Sequence, residues 1–313
     1  MIGDPSGRSA ERNLLDAATL AKNLEGIGRS LKAVLKTDAE LLNNYDWFKG
    51  FGYLDFLRDV GKHFRLGTML AKESVKTRLA SEDGLSYTEF SYQLLQAYDF
   101  LHLYDKHKVT VQIGGSDQWG NITAGTELIR KMRGASSFGV TFPLLTRSDG
   151  KKFGKSEGGA IWLNPEKLPP YDFYQYLFRL PDADMPKMFR MLTFLPLEEI
   201  EEIESAMRRQ GYVPNTAQKR LAEEVTRIVH GEKGLEEALR ITEAALPGAK
   251  TMLDSATLKA LAGEIPTHKL AREAVVGVKL VDLFVVSTIT TSKGEARRLI
   301  ANGGDLPQQR QSG

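Results

Sequence analysis

Apolar residues over 13–35 recur at helical spacing, with Leu14, Leu15, Ala18, Leu20, Ala21, Leu24 and Ile27 set among polar positions, which predicts an amphipathic helix. Leu54, Phe56, Leu57, Val60 and Phe64 predict a second helix over 53–64. Between them, Asn43-Asn44-Tyr45-Asp46-Trp47 reads as a strand edge or turn, with Asn44 and Asp46 as capping groups. The period then changes: Val109-Thr110-Val111-Gln112-Ile113 is β-branched and alternating, Gly114-Gly115 breaks it, and helix-compatible residues run over 121–131. A strand, a tight turn and a helix follow in that order. A second β-rich run occupies 138–146 and leads into a polar loop, 147–159, with four glycines and three lysines. From Pro169 the pattern is helical, over 171–180, 197–209, 216–229 and 233–245, with Asn215 and Gln218 as a capping pair and Gly231 beyond the third helix. Residues 247–266 read as a linker with one short helix, and an apolar run over 280–286 precedes Ser292 and Glu295, spaced as a capping box for a last helix.

Composition removes several classes of function. With 313 residues, 42% hydrophobic and 26% charged, the chain can bury a large core in two or three domains. No apolar run approaches the length of a membrane span, so no membrane partner is expected. The balance of 42 basic against 40 acidic residues gives no global attraction to nucleic acid, and any RNA contact must be local. There is no cysteine, and the five histidines lack ligand spacing, so no protein-held metal site is expected.

The candidate chemistry lies in two stretches. Tyr92, Gln96 and Asp99 stand at i, i+4 and i+7, so a helix directs all three polar groups down one face. Their neighbours Phe90, Leu94, Leu95, Tyr98 and Phe100 are too apolar for a solvated helix, which leaves Asp99 partly buried and in need of a partner such as a ligand hydroxyl. Ser116, Asp117 and Gln118 follow the strand at 109–113, where the carboxyl ends of α/β sheets bind ligands and glycines admit a nucleotide closely. Beside such a crevice the loop lysines are candidate phosphate ligands. On the last helix Lys293 and Arg297 share a face that either meets RNA phosphates or is simply solvated.

Gly3-Asp4-Pro5-Ser6-Gly7, the Tyr92, Gln96 and Asp99 row, Gly114 to Asn121 and Lys152-Phe153-Gly154-Lys155-Ser156, in this order, resemble bacterial-type tyrosyl-tRNA synthetases, including organellar ones. The resemblance implies an α/β chain: a partial Rossmann-like class I catalytic domain (1–146), a signature-loop connector (147–169), a helical anticodon-binding domain (170–246), a linker (247–270) and a truncated S4-like α+β RNA-binding unit (271–313). It implies L-tyrosine, ATP with Mg²⁺ as co-substrate, tRNA(Tyr) and a homodimer, in a mitochondrion or chloroplast, the cytosol being the alternative. Carried over residue by residue, Asp4, Tyr92 and Gln96 meet the substrate amino group, Asp99 its phenol hydroxyl and Gln118 its carboxylate, while Gln112 supports the pocket. Gly115 and Asp117 fall at the ribose, Lys152, Lys155 and Ser156 on the mobile signature loop, Lys155 also serving ATP, and Arg8 and Arg12 near the pyrophosphate. Lys293, Arg297 and Arg298 are the RNA-facing candidates of the S4-like unit.

In two places the sequence departs from the family pattern. A strand with a HIGH-type motif and a further pocket tyrosine would precede Met1, and the S4-like unit turns after Gly303-Gly304 into an unrelated polar tail. The expectation is a truncated chain that makes adenylate poorly, or, as an alternative, an inactive product that only binds RNA or dimerises.

Overall fold

The computed structural model describes residues 2–4, 15–81, 84–150, 153–156, 159–246, 258 and 268–301. They belong to two compact units, Met1–Phe153 and Gly154–Gly313.

In the first unit, helix α1 (Ala17–Leu35) begins where the Asp16 carboxylate accepts the Thr19 N–H at 2.7 Å, which satisfies one of the donors a helix start leaves free. The short helices α2 (Tyr45–Phe48), α3 (Tyr53–Asp59), α4 (Leu66–Leu70) and α5 (Glu73–Leu79) follow. The segment expected to be a strand edge is thus a helical turn, because the Phe48 and Lys49 amides close onto the Asn44 and Tyr45 carbonyls. The long helix α6 (Tyr87–His107) starts at Ser86, whose side chain accepts the Glu89 N–H at 3.3 Å. Its stripe of Leu94, Ala97, Phe100 and Leu101 is buried.

Strands β1 (Val111–Gly115) and β2 (Phe138–Phe142) pair in parallel, from Val111 opposite Phe138 to Gly115 opposite Phe142, and helix α7 (Trp119–Arg133) connects them. This is a βαβ unit. The two glycines do not break the strand as expected: both lie within it, and the turn is the 3₁₀ segment Ser116–Gln118. Glycine accepts extended geometry, and the ladder to Thr141 and Phe142 supplies the hydrogen-bonding partner strand. Helices α6 and α7 pack over a core of Val60, Ala97, Phe100, Leu101, Leu128 and Ile129. They approach so closely that a Cβ at Gly125 would lie 2.9 Å from Phe100 Cδ1.

In the second unit, the short strands β3 (Lys155–Ser156) and β4 (Gly159–Ala160) form an antiparallel pair. Helices α8 (Pro170–Phe178), α9 (Met185–Leu192), α10 (Leu197–Met207) and α11 (Thr216–Ala244) follow, and α8 packs along α11. At Gly231 the backbone of α11 leaves helical geometry (φ 71°, ψ −177°), so the run is two helices meeting at that glycine, as its sequence predicts. The capping pair is not observed. Asn215 is left-handed with no side-chain cap, which removes the extended geometry an N-cap needs, and the buried Gln218 amide donates instead to the Leu180 carbonyl (3.2 Å) and the Asp182 carboxylate. Residues 268–301 hold α12 (Leu280–Val286) and α13 (Lys293–Ala301), which pack together. Ser292 Oγ accepts the Glu295 N–H at 3.2 Å as a capping box requires, but the Glu295 carboxylate reaches back to Thr291, one residue earlier. The linker expected over 247–266 lies, apart from Leu258, outside the described residues.

The α6–α7 crossing generates a prediction. Gly125→Val places a branched side chain against the fully buried Phe100 ring and should destabilise the first unit by about 1–3 kcal/mol. Urea unfolding followed by circular dichroism reads this as a lower midpoint with an unchanged slope; an unshifted midpoint would mean the helices separate freely.

Candidate active site

The face of α6 beside its buried stripe presents Tyr92, Gln96 and Asp99 to a cavity of about 520 Å³. The other walls come from Leu20 and Leu24 of α1, from Asn44, Tyr45 and Phe48, and from Ile2. That size and mixed apolar lining suit a small ring-bearing molecule. Asp99 is the acceptor on this wall. Trp47 Nε1–H donates to its Oδ1 at 2.9 Å and Asn44 Nδ2–H to its Oδ2 at 3.1 Å, so each oxygen has one fixed donor and lone pairs to spare. Burial pushes the Asp99 carboxyl above its usual range, while the bonds from Asn44 and Trp47 pull it back. Asn44 is therefore not the side-chain cap expected of it: it makes no cap bond to α2, and its amide donates to Asp99 instead.

Tyr92 also borders a second cavity, of about 490 Å³, with Asp4, Lys72, Arg78, Glu89, Asp117 and Trp119 among its walls. Gln118 Nε2 donates to Asp4 Oδ2 at 2.5 Å and to Asp117 Oδ2 at 3.3 Å, which ties the start of the chain to the turn after β1. Gly115 leaves room there for the Asp117 carboxylate: a Cβ on it would sit 2.5 Å from Asp117 Oδ1, and the side chain would have to shift. Arg78 and Glu89 form a buried two-pronged pair, with Nη2 2.7 Å from Oε2 and Nη1 3.3 Å from Oε1, that fastens α5 to the first turn of α6. Lys72 Nζ donates to the Gly120 carbonyl at 2.5 Å, and burial lowers its ammonium to about 8.

The structure thus gathers Asp4, Tyr92, Gln96, Asp99 and Asp117 around two adjoining cavities in one unit, with Gln118, which lines neither, bonded to Asp4 and Asp117. Gln112 lines neither cavity, and its Oε1 is buried with no hydrogen-bond partner among the described residues. Strand β3 of the other unit fixes the backbone of Lys155 and Ser156, whereas Arg8, Arg12 and Lys152 lie outside the described residues. On α13, Lys293 is engaged with Asp282 Oδ1 at 2.6 Å, and Arg297 and Arg298 are exposed. Sequence reasoning passed over Trp47, Lys72 and the Arg78–Glu89 pair. Trp47 stood in view within a polar-aromatic cluster, but no local pattern marks the lysine or the ion pair, whose partners are set by tertiary packing.

The profile of the family "tRNA synthetases class I (W and Y)" matches residues 1–247. The chain belongs to that family. Among its relatives are the tyrosine–tRNA ligase of Protochlamydia amoebophila, 57% identical over 97% of this chain and 73% of the relative, and the chloroplastic/mitochondrial tyrosine–tRNA ligase of Arabidopsis thaliana, 55% identical over 97% of this chain and 61% of the relative. The fold is similar to a crystal structure of a C-terminally truncated mitochondrial tyrosyl-tRNA synthetase from Coccidioides posadasii, with a TM-score of 0.61, 32% identity and coverage of 76% of this chain and 70% of that one. The class I fold, a parallel sheet with helices, is the one the sequence implied.

In this class I chain, Lys72 yields a prediction with a definite sign. Its folded value of about 8 lies below the usual 10.5, so between those limits the unfolded chain binds more protons and stability rises with pH; the cost of the buried ammonium is fully present below pH 8. Lys72→Met should flatten that rise relative to the parent chain in thermal melts taken from pH 7.5 to 10.5. The difference is smaller than the full shift implies, because Lys72 is only partly buried. Parallel curves would mean the ammonium is not its source.

Proposed function

We propose that the chain's site activates L-tyrosine with Mg-ATP and transfers the tyrosyl group to tRNA(Tyr). The observation that carries the reading is the half-buried Asp99 carboxylate on the wall of an apolar cavity, held by Asn44 and Trp47 with acceptor capacity left for a phenol hydroxyl. Asp4, Tyr92 and Gln96 take the substrate ammonium, Gln118 stands at its carboxylate, and Gly115 and Asp117 receive the ribose. Gln112, whose side-chain Oε1 is buried, supports the pocket. Magnesium arrives with the nucleotide as part of the substrate.

The chemistry needs no protein nucleophile. The tyrosine carboxylate attacks the α-phosphorus in line and pyrophosphate leaves with its electron pair; a terminal tRNA hydroxyl, losing its proton, then attacks the tyrosyl carbonyl of the adenylate, and AMP leaves. Negative charge grows on phosphoryl oxygens in the first step, so cations placed there lower the barrier. Lys152, Lys155, Ser156, Arg8 and Arg12 have that role, and Arg297 and Arg298, with Lys293, approach RNA phosphates. The protein acts as a homodimer: exposed Tyr53, Leu54, Leu66 and Tyr87 supply apolar surface of the kind that association covers. Its compartment is a mitochondrion or plastid, on the analogy of the Arabidopsis relative.

Tyrosine-dependent exchange of pyrophosphate into ATP by the 313-residue chain tests the whole reading. Tyrosine binding without exchange would favour the alternative, a product that binds RNA or dimerises without activating an amino acid.

Two variants test its parts. Asp99→Ala should lower kcat/KM for tyrosine by about 10- to 150-fold, the worth of a hydrogen bond to a charged group, and leave phenylalanine nearly unaffected. Equal losses for both amino acids would remove Asp99 from hydroxyl recognition. Lys155→Ala should slow adenylate formation on the order of 10²-fold in single turnovers, with the tyrosine dissociation constant unchanged, since its ammonium meets charge that exists only in the transition state. A weakened tyrosine affinity at an unchanged rate would make the loop structural.

A further inference from the structure

The indole of Trp47 is held from two directions. Its N–H donates to Asp99 Oδ1 at 2.9 Å, and its ring lies against the imidazole of His102, with centroids 4.3 Å apart and planes 17° from parallel. Asp99 and His102 stand three residues apart on α6, so one turn of a single helix grips the same side chain at its polar edge and on its face. Trp47 itself sits on the short helix α2, a four-residue element whose own hydrogen bonds fix its side chains poorly. The stacked imidazole stands in the way of rotation about the Trp47 Cβ–Cγ bond, a rotation that would carry the N–H away from Asp99.

We infer that His102 is a positioning residue for tyrosine recognition, acting through the Trp47 indole to fix the Asp99 carboxylate that the substrate hydroxyl meets. The inference rests on the tyrosine reading of the cavity. Two donors, one on each oxygen, are what stop the carboxylate from rotating, and a loosened indole leaves Asn44 alone. A carboxylate free to turn keeps its charge and loses its aim, so tyrosine loses affinity and phenylalanine, which has no hydroxyl to place, does not. Burial, and then the neighbouring His107 and Lys106, lower the His102 pKa, so the ring is neutral near pH 7. A neutral flat ring stacks as phenylalanine would, which makes His102→Phe a fair replacement.

Equilibrium dissociation constants for L-tyrosine and L-phenylalanine, measured without ATP, test the effect on selectivity. His102→Ala should lower the tyrosine-over-phenylalanine ratio about 2- to 12-fold, the range an aromatic pair supports, and His102→Phe should restore it. In a Trp47→Phe background, which has no indole N–H to aim, His102→Ala should leave the ratio where Trp47→Phe put it. A second readout does not depend on tyrosine binding. The indole N–H of Trp47, identified among the three tryptophans by its loss in Trp47→Phe, should exchange faster with solvent in His102→Ala and at the parent rate in His102→Phe. If His102→Ala does not fold, His102→Gln, with similar bulk and no ring, takes its place. An unchanged indole exchange rate, or a fall in the ratio as large in the Trp47→Phe background as in the parent, overturns the inference. A parent chain with no preference for tyrosine, but with His102-dependent indole exchange, would instead refute the tyrosine reading and leave the Trp47 clamp standing.

Discussion

Both halves of the site hang on the crossing of α6 and α7. Helix α6 carries Tyr92, Gln96 and Asp99, while α7 emerges from the turn that holds Asp117 and Gln118. The spacing between these groups is set where Phe100 meets Gly125, because a missing Cβ lets one helix lie almost on the backbone of the other. Close-packed interiors transmit such a spacing with little slack. Leu128 and Ile129 of α7 and Ala97 and Leu101 of α6 complete that contact, so the polar row and the crevice are positioned by one apolar seam. Polar groups then only have to refine a geometry that packing has already imposed.

Asp99 shows how the refinement works. A carboxylate resists burial, and its raised pKa records that resistance. Two donors from α2 and the residue before it lessen the cost and at the same time fix the direction in which the remaining lone pairs point. Fewer donors would leave the charge poorly solvated. A larger number would saturate the oxygens and leave nothing for a ligand. The same economy holds in the adjoining cavity, where Asp4 and Asp117 both take a hydrogen bond from the single amide of Gln118.

How much of this was legible beforehand follows from the range of each interaction. The row at 92, 96 and 99 and the strand-then-helix order around Gly115 are local, and periodicity showed both, though it placed the strand's end too early at Gly114. The partial burial of Asp99 was legible from its apolar neighbours. Its partners were not, since Trp47 and Asn44 lie 52 and 55 residues away, and nothing within a helical pattern encodes such a distance. Helix α9, eight residues whose Met185, Met188 and Phe189 are buried, was too short for its period to stand out. The failed cap at Asn215 has a different origin: the residue type was right, but a left-handed backbone there took away its function, and Gln218 was drawn into the core instead. In this chain, then, the polar wall of the cavity is written in one helix and its support is written elsewhere.

The placement of charge carries the last step. Around the two cavities of the first unit, the described cations are already engaged: Lys72 with the Gly120 carbonyl, Arg78 with Glu89 and the Gly84 carbonyl. Apart from Glu89, which is paired with Arg78, the carboxylates that line the cavities are Asp4, Asp99 and Asp117. Such a surface suits a ligand ammonium, a phenol and ribose hydroxyls, and it is unfavourable to a triphosphate. In the proposed reaction the phosphates of the nucleotide are met by cations from other segments, such as the lysine-bearing stretch 151–155. In that proposed reaction, amino-acid selection and phosphate chemistry fall to different parts of the chain. Selection can be rigid, set by packing and by a clamped carboxylate, while the cations that stabilise a transient charge need only be in place when that charge develops.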